Sequence, residues 1–295
     1  MLTIEPGKIP TGLLHSHLLA SVAPRPIAFA STVDKDGNPN LSPFSFFNVF
    51  GVNPPIAIFS PSRRVKNNTI KHTLENAKET GEVVINIVNY AMVQQMSLAS
   101  TEYAKGVNEF LKVGLTAIAS EKVKPFRVKE SPVQLECKVK EIIETGTEGG
   151  AGNLIVCEIL LIHINENILD ANGKIDQQKI DVVGRLGADW YVRASGNALF
   201  EVEKPLTTIG IGVDALSEAI RLSKILTGNN LGQLGNVENI PGIDESKVFL
   251  QSSDWNMLVE QNALDVSKID GNHTVAKILL DRGFVKEAWM WLIGK

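Results

Sequence analysis

The amino-acid sequence predicts a mainly β protein with helices, in which an antiparallel β-barrel is followed by a helical C-terminal extension. Two observations predict this class. Short segments rich in Val, Ile, Phe and Thr succeed one another from Arg25 onward, and turn signals separate them. Helical spacing interrupts these segments in only two places before residue 200, but it dominates the sequence after that point. Many strands with few helices between them favour an antiparallel barrel over a βαβ fold.

The strand candidates define the barrel in chain order. The first, RPIAFASTV, leads into a turn that contains Asp36-Gly37, a dipeptide that favours β-hairpins. The next three candidates are NPNLSPFSFFNVF, PPIAIFS and VVINIV. The last two, VQLECKVKEII and NLIVCEILLIHI, flank ETGTEGGAG, whose glycines suit a hairpin loop. We therefore expect hairpin-type pairing along most of the chain before residue 200.

The helical candidates divide between the barrel and the extension. Within the barrel, residues 68–78 and 91–100 show helical spacing of their apolar side chains. In the extension, VDALSEAIRLSKILTG predicts a helix that ends with a cap at Gly228. The segments DWNMLVEQN and NHTVAKILLDRGFVKEAWMWLIGK predict further helices, the second of them broken at Gly283.

This change from strand-like to helical sequence patterns predicts two regions, a barrel domain over residues 1–199 and a helical extension over residues 200–295. The extension carries large apolar side chains, among them Trp255, Trp289 and Trp291. Burying each of these is worth about 1.5–3 kcal/mol. We therefore expect the extension to pack on the barrel or on a partner subunit. It would either lie beside a ligand pocket and restrict access to it, or merely complete the core.

Composition excludes several classes of function. The chain has 295 residues, of which 44% are hydrophobic and 21% charged, as in folded globular proteins. Its formal net charge of −4 gives no global attraction to nucleic acid or anionic lipid. No apolar run approaches the roughly 20 residues of a membrane helix. The sequence opens without the basic and apolar regions of a signal peptide. We predict a cytoplasmic protein without nucleic-acid or membrane partners.

Cysteine and histidine usage indicates neither a metal centre nor a serine hydrolase. Cys137 and Cys157 lie in apolar, strand-like runs and are predicted to be buried small hydrophobic residues. No histidine pair has a third ligand nearby, and Gly-x-Ser-x-Gly does not occur. His72 is either a neighbour of a bound ligand or a surface histidine on a helix. Gly210 and Gly212 resemble a phosphate-binding turn, but no second strand follows, so a tight turn is expected.

Residues 21–73 hold the richest set of potential ligand-binding groups. Hydroxyl and amide side chains alternate with aromatic ones, and the cations Arg63, Arg64, Lys66 and Lys71 follow. Such a segment suits a large, flat, anionic ligand. Aromatic and apolar walls would hold a ring, and Arg or Lys beside Ser, Thr and helix-start amides would hold a phosphate. The alternative is an aromatic strand packed on the core and followed by a solvated basic loop.

Several motifs occur here in a fixed order. A PRP opening is followed by an STVD-x-DG-x-PN hairpin, by SPFSFFN at residues 42–48 and by a strand that starts at Pro54-Pro55. GRLGADWY at residues 184–191 comes later. Together, over residues 14–192, these motifs resemble the flavin reductase-like family with the FMN-binding split-barrel fold, which includes flavoredoxin-type proteins. The resemblance implies that the predicted barrel is a split antiparallel β-barrel.

The resemblance also implies where the cofactor FMN binds. In this family the stretch matching residues 42–48 lines the isoalloxazine ring, and the stretch matching residues 60–69 runs toward the ribityl phosphate. Many relatives have Lys-Asp-Thr where this chain reads Lys-Asn-Asn-Thr from Lys66, which blurs whether Asn68 or Thr69 makes the phosphate contact. The implied FMN contacts are Ser42, Pro43, Phe44, Ser45, Phe47, Asn48, Ser60, Arg63, Asn68, Thr69 and Lys71.

The activity that the resemblance implies is that of a flavin reductase. Hydride would pass from NADH or NADPH to the flavin, and the flavoprotein would then pass electrons to an acceptor. Family members build the flavin site at a two-fold interface, so a homodimer is expected. The cofactor supplies the chemistry, so no catalytic side chain is assigned. Two alternatives stay open: an FMN-binding electron carrier or sensor without NAD(P)H turnover, and a flavin-free interaction protein that kept the barrel.

Overall fold

The computed structural model of the protein describes residues 1–264, 266 and 269–295. The chain forms two compact units, Met1–Phe200 and Glu201–Lys295. The first unit contains all the β-structure, and the second unit is helical. Within the described residues, no helix combines the length and the apolar character needed to cross a membrane.

A seven-stranded antiparallel sheet forms the first unit. Its strands are β1 (Ala28–Val33), β2 (Pro39–Phe44), β3 (Phe47–Val52), β4 (Pro55–Phe59), β5 (Glu82–Ile87), β8 (Val133–Glu144) and β9 (Asn153–Ile164). Their order across the sheet is β2-β1-β5-β8-β9-β4-β3. Two small antiparallel ribbons complete the β-structure, β6 (Ala117–Ile118) with β7 (Arg127–Val128), and β10 (Val183–Arg185) with β11 (Tyr191–Arg193).

The sheet curls because its two edge strands are neighbours in sequence. β2 and β3 lie at opposite edges, yet only Ser45 and Phe46 separate them along the chain. The backbone N–H of Ser60, directly after β4, donates to the carbonyl of Phe46 at 2.8 Å. The curled sheet encloses a core that includes Phe44 and Phe59. The split antiparallel β-barrel predicted from the sequence is confirmed.

The predicted hairpins are also confirmed. The turn between β1 and β2 is held by the carboxylate of Asp34, which accepts from the backbone N–H of Asp36 and of Asn38 at 3.0 and 2.9 Å. Asp34 thus satisfies backbone donors that the turn leaves without a ladder partner. β8 and β9 pair along their whole length, and the glycine-rich segment 145–152 forms the tip between them.

Five α-helices belong to the first unit: α1 (Thr11–Ser21), α2 (His72–Thr80), α3 (Val93–Leu98), α4 (Glu109–Val113) and α5 (Gln177–Ile180). The predicted helix start at residue 68 is wrong, because the helix begins at His72. Asn68 has a φ of 53°, in the left-handed region, which ends any helical path before Thr69. α1 carries no buried residue, and the sequence patterns did not predict it.

The two cysteines are structural, as predicted. Cys137 and Cys157 are fully buried in the barrel core and are not linked by a disulfide. Burial raises the pKa of Cys157 to about 12. Burial also raises the pKa of Cys137 well above its usual value, with a smaller effect from nearby Cys157. Both thiols therefore stay protonated and behave as small hydrophobic side chains.

The second unit is a set of short helices around its own core. The helices are α6 (Glu218–Arg221), α7 (Gly228–Gly235), α8 (Ile243–Leu250), α9 (Ser253–Gln261), α10 (Asn272–Asp281) and α11 (Val285–Gly294). Trp255 and Trp291 stack with ring centroids 5.4 Å apart, and the indole N–H of Trp289 donates to the carbonyl of Leu234 at 3.0 Å. All three tryptophans are buried within this unit. The predicted break at Gly283 is confirmed between α10 and α11.

One predicted helix of the second unit is wrong. Residues 213–228 do not form a continuous helix capped by Gly228; instead Gly228 is the first residue of α7. The side chain of Thr227 accepts from the backbone N–H of Asn230, and the side chain of Asn230 accepts from the backbone N–H of Thr227. This reciprocal cap starts a helix at the position where the glycine alone suggested an end.

The Gly210–Gly212 segment makes a close backbone contact with residues 235–237, and a short 3₁₀ helix (Val213–Ala215) follows it. The backbone N–H of Ile211 donates to Val237 at 2.8 Å, and that of Gly212 donates to Gly235 at 3.0 Å. A Cβ atom at Gly210 would lie 2.6 Å from the carbonyl oxygen of Gly235. The glycine is therefore required by close backbone contact.

We expect Gly210→Ala to destabilise the second unit by about 1–3 kcal/mol, because the added methyl group cannot fit without a backbone shift. Urea unfolding followed by tryptophan fluorescence measures this, since three of the four tryptophans lie in this unit. Gly232→Ala, in α7 with open space around its Cβ position, is the matched control and should be neutral or stabilising. Equal effects of the two substitutions would contradict the assigned contact.

Candidate functional site

The cation-rich loop, residues 60–71, is folded against the tip of the β8–β9 hairpin. The backbone N–H of Arg63 donates to Ala151 at 2.8 Å, and that of Gly150 donates to the carbonyl of Arg63 at 3.0 Å. The side chain of Asn68 donates to the carbonyl of Thr147 at 2.9 Å. These contacts fix the loop at the end of the barrel where β4 leaves the sheet.

Two of the predicted phosphate-binding residues, Arg63 and Asn68, contact each other directly. The Arg63 guanidinium donates to the side-chain oxygen of Asn68 at 2.6 Å and to its backbone carbonyl at 2.8 Å. This pairing explains why Asn68 holds its left-handed conformation. It also orients Arg63 along the loop, half-buried, beside the exposed side chain of Asn68.

The other cations of the loop share one carboxylate. Arg64 donates to Glu102 at 2.7 Å and to the hydroxyl of Thr69 at 2.9 Å, and the ammonium of Lys71 lies 3.5 Å from Glu102. Hydrogen bonding and the charge of Arg64 lower the pKa of Glu102. Burial, followed by repulsion from Arg64, lowers the pKa of Lys71. Positive charge therefore exceeds negative charge along this loop, as an anion site requires.

The predicted ring-lining segment, residues 42–48, divides between the two faces of the sheet. Ser42 and Phe44 pair with Ala30 and Ala28, which face the barrel core, while Pro43 between them points to the opposite face. Phe47 packs against the barrel core, and exposed Asn48 accepts from the backbone N–H of Val49 at 2.8 Å. Outside this segment, the hydroxyl of buried Ser60 accepts from the backbone N–H of Asn153 at 3.0 Å.

A cavity of about 620 Å³ lies in the first unit. Most of its buried apolar lining belongs to the cluster on that opposite face, whereas Phe44 belongs to the barrel core. It is bounded by the start of β1, the end of β2, the α3 region and the β10–β11 ribbon. Its lining residues are Ile27, Pro43, Phe44, Ser45, Tyr90, Val93, Gln94, Met96, Ser97, Ser100, Val183, Arg185, Asp189, Tyr191, Val192 and Arg193. The volume and the mixture of apolar and polar lining are typical of small-molecule sites.

Arg25 holds one wall of this cavity in place. Only 5% of this residue is exposed, and its guanidinium donates to the carbonyls of Leu19, Val22 and Leu186 and to the hydroxyl of Ser45. The backbones of Arg25 and Arg185 also exchange two hydrogen bonds of 2.9 Å. Burial and the nearby charge of Arg185 lower the pKa of Arg25. The hydrogen bond from Arg25 fixes the side chain of Ser45, which directly follows β2 and lines the cavity.

The PRP and GRLGADWY motifs pack against each other at this wall of the cavity. A Cβ atom at Gly184 would lie 2.9 Å from the Cβ of Pro24, so only glycine permits the approach that brings Arg25 and Arg185 together. The two motifs are far apart in sequence, and the structure shows that they form one contact region. Their residue types therefore serve the packing that shapes the cavity.

The structure brings only some of the predicted residues together. Pro43, Phe44 and Ser45 line the cavity. Arg63, Asn68, Thr69 and Lys71 lie in the cation-rich loop. Sequence reasoning missed four aromatic and cationic residues of the cavity: Tyr90, Arg185, Tyr191 and Arg193. The GRLGADWY motif contains two of them, Arg185 and Tyr191. This motif supported the family resemblance, but no ligand contact was predicted for its residues.

The first unit thus combines a curled antiparallel sheet, a cation-rich loop at one end and a lined cavity. A family model described as the flavin reductase like domain matches residues 20–179, just over half the chain. The chain therefore belongs to the flavin reductase like family. This confirms the resemblance and makes the protein a flavin-related oxidoreductase.

Individual relatives agree with this family. A protein of Aquifex aeolicus (strain VF5) is 39% identical over 189 residues, which are 64% of this chain and 94% of the relative. Nitrilotriacetate monooxygenase component B from Bacillus cereus superposes with a TM-score of 0.64 at 29% identity, over 68% of this chain and 98% of that one. Flavoredoxin of Desulfovibrio vulgaris (Miyazaki F) shares the fold, with a TM-score of 0.52 at 24% identity over 61% of this chain and 91% of its own.

Proposed function

We propose that this protein binds FMN and passes hydride from NAD(P)H, through the flavin, to a second electron acceptor. Membership of the flavin reductase like family supports a flavin-dependent reductase. The observation that carries the FMN assignment is the cation-rich loop, which continues from β4 beside the ring-lining segment. Phe47 pairs with Phe59, the last residue of β4, and the loop starts at Ser60.

The charges of the loop fit a terminal phosphate. A phosphate monoester carries about −1.5 to −2 charges at neutral pH. The loop offers Arg63, Arg64, Lys66 and Lys71, and Glu102 contacts two of these four cations. The excess positive charge suits the terminal phosphate of FMN, and the choice of FMN over FAD is part of the proposal.

In this proposal Arg63, Asn68, Thr69 and Lys71 hold the phosphate, and residues 42–48 hold the ring. Side chains on one face of the strands would contact the ring together with backbone groups of their neighbours, because consecutive strand residues point to opposite faces. When bound, FMN supplies the redox chemistry: a hydride from the nicotinamide C4 and a proton from water convert it to the reduced flavin, leaving NAD(P)+. The chain itself binds, orients and shields the reactants.

The full-length protein is expected to purify with FMN or to take it up stoichiometrically, with micromolar or better affinity. Absorbance and quenching of flavin fluorescence measure this uptake. NADH or NADPH added without oxygen should then bleach the visible absorbance of the oxidised flavin. A protein that binds FMN and is not bleached would instead be an electron carrier or sensor. A colourless protein that quenches no flavin would refute both.

We expect Arg63→Ala and Lys71→Ala to weaken FMN binding about ten- to a hundredfold, because a charge-assisted contact to phosphate is worth about 1.5–3 kcal/mol. Riboflavin, which lacks the phosphate, should bind both variants almost as well as it binds the natural protein. Fluorescence titration of both flavins makes the comparison. Lys35→Ala, an exposed cation outside the loop, is the control. Equal weakening of both flavins would assign these residues to the ring pocket or to folding.

A homodimer with the flavin site at its interface completes the proposal. The edge strand β3 has no charged residue, and Val49, Phe50 and Val52 are 49%, 65% and 88% exposed. α1 likewise contains no Asp, Glu, Lys or Arg and buries none of its side chains. An uncharged apolar edge strand is an aggregation hazard unless another surface covers it. A second copy of the chain, joined by a two-fold axis, would cover it.

Light scattering after size exclusion should therefore give twice the chain mass of 32.1 kDa. Phe50→Lys, which places a charge on the edge strand, should shift the mass toward one chain and weaken FMN binding. Val248→Lys, at a position 70% exposed in the second unit, is the matched control and should leave the mass unchanged. A monomeric natural protein would refute the dimer. The packing of the second unit on the barrel or on the partner subunit stays a prediction.

A further inference from the structure

The hydrogen-bond ladder between β4 and β9 is interrupted where the cation-rich loop begins. The register of these strands, continued by two residues past its last pair, sets Pro61 opposite Asn153. The backbone N–H of Ser60 donates to Phe46, the residue before β3, so the backbone of the next residue, Pro61, faces β9. An antiparallel pair of this kind exchanges two N–H···O bonds, but a proline has no N–H to donate. The ladder therefore needs another donor to continue across Pro61.

The side chain of Asn153 supplies this donor. Its amide nitrogen donates to the carbonyl of Pro61 at 2.7 Å, and its backbone N–H donates to the hydroxyl of Ser60 at 3.0 Å. Asn153 is fully buried, and Ser60 is buried too. Hydrogen bonds shielded from water in this way are stronger than exposed ones. One residue of β9 thus holds the first two residues of the cation-rich loop.

The ladder resumes two residues farther along the loop. The backbone N–H of Arg63 donates to Ala151 at 2.8 Å, and this pair keeps the register that the strands have before the proline. A slip of one residue would turn the side chains of the segment to the opposite face. The bridge through Asn153 carries the register across Pro61 and so fixes the face on which Arg63 lies.

The amide of Asn153 is retained for its nitrogen rather than for its oxygen. The side-chain oxygen is buried, and within the part of the chain that the structure describes it has no hydrogen-bond partner. An unpaired buried acceptor is unfavourable for folding. A flipped amide would set this oxygen against the carbonyl of Pro61, where two acceptors would face each other. The contact to Pro61 therefore explains why an asparagine stands at this buried position.

We propose that Asn153 is a positioning residue for phosphate recognition, because its bridge to Pro61 holds Arg63 in place for the phosphate of FMN. This inference rests on the proposed function, in which Arg63 contacts that phosphate. The guanidinium of Arg63 is held in turn by Asn68, which donates to the carbonyl of Thr147. Asn153 acts through Arg63, so its loss affects a flavin with a phosphate more than a flavin without one.

The test is a titration of the full-length protein with FMN and with riboflavin, followed by quenching of flavin fluorescence. Asn153→Leu has a similar shape, lacks the amide donor and removes the unpaired oxygen. It should weaken FMN binding about five- to tenfold, part of the loss expected for Arg63→Ala, and change riboflavin binding less than about twofold. Asn86→Leu is the matched control and should affect both flavins alike, because this buried amide bonds to Phe29 and Val128.

A double-mutant cycle separates positioning from a general effect on folding. When Arg63 is already replaced by Ala, Asn153→Leu should weaken FMN binding by less than about a further twofold. Asn153→Gln, which keeps an amide donor on a longer side chain, should retain part of the preference for FMN. Trypsin gives a readout without flavin: Asn153→Leu should speed cleavage at exposed Lys66, because a loop released at its start opens more often.

Equal weakening of both flavins, unchanged FMN binding or full additivity with Arg63→Ala would overturn the proposal. Unchanged cleavage at Lys66 would overturn it too, since the loop would then be held without the bridge. A natural protein that does not prefer FMN to riboflavin would refute the proposed phosphate site and this role with it. The natural protein and Arg63→Ala therefore report on the proposed function, and Asn153→Leu reports on the inference alone.

Discussion

The first unit depends on one topological constraint, the two-residue connection between its edge strands. Because β2 and β3 lie at opposite edges and only Ser45 and Phe46 join them, the seven strands cannot stay flat. The sheet must curl until its edges approach each other, and this curl creates the enclosed core around Phe59. The same connection leaves Ser45 at the cavity and Phe47 beside the start of the cation-rich loop. Both candidate sites therefore follow from one turn of the chain.

The region around Arg25 shows how a buried cation can organise packing without a carboxylate. Its guanidinium donates to carbonyl oxygens at the end of α1 and to that of Leu186. The planar fork of donors reaches several acceptors at once, which a lysine could not do. Motifs separated by about half the chain are thereby fixed to each other. The positions that looked like isolated family signatures are parts of one packing unit.

The sequence was informative where local chemistry decides the structure. The Asp34 carboxylate and Asp36-Gly37 specify the first hairpin within a few residues. Long β-rich runs on either side of a glycine-rich loop predict β8 and β9. It was misleading at Gly228, where glycine suggested a helix end but the reciprocal Thr227–Asn230 cap starts a helix. The helix start near Asn68 failed for a similar reason, since a contact with Arg63 stabilises a left-handed residue there.

Local sequence patterns could not predict the cavity, for a different reason. Its walls come from residues 27, 43–45, 90–100 and 183–193, and only the folded sheet brings these segments together. No spacing rule relates them. The predicted ring-lining segment had a related weakness, because a run of consecutive residues was assigned to one ligand although a strand presents alternate residues to opposite faces. The cation-rich loop was easier to recognise, because its charges are contiguous in sequence.

The chemical nature of the cavity wall has a consequence for how the protein responds to acidity. Its cationic lining residues are Arg185 and Arg193, its acidic lining residue is Asp189, and no histidine lines the cavity. A wall of this kind does not titrate as a histidine would. Any change in the affinity for a phosphate monoester between pH 5 and 8 would therefore report the second ionisation of the ligand. The histidine-free cavity wall would contribute little to this change, which would come from the charge of the ligand.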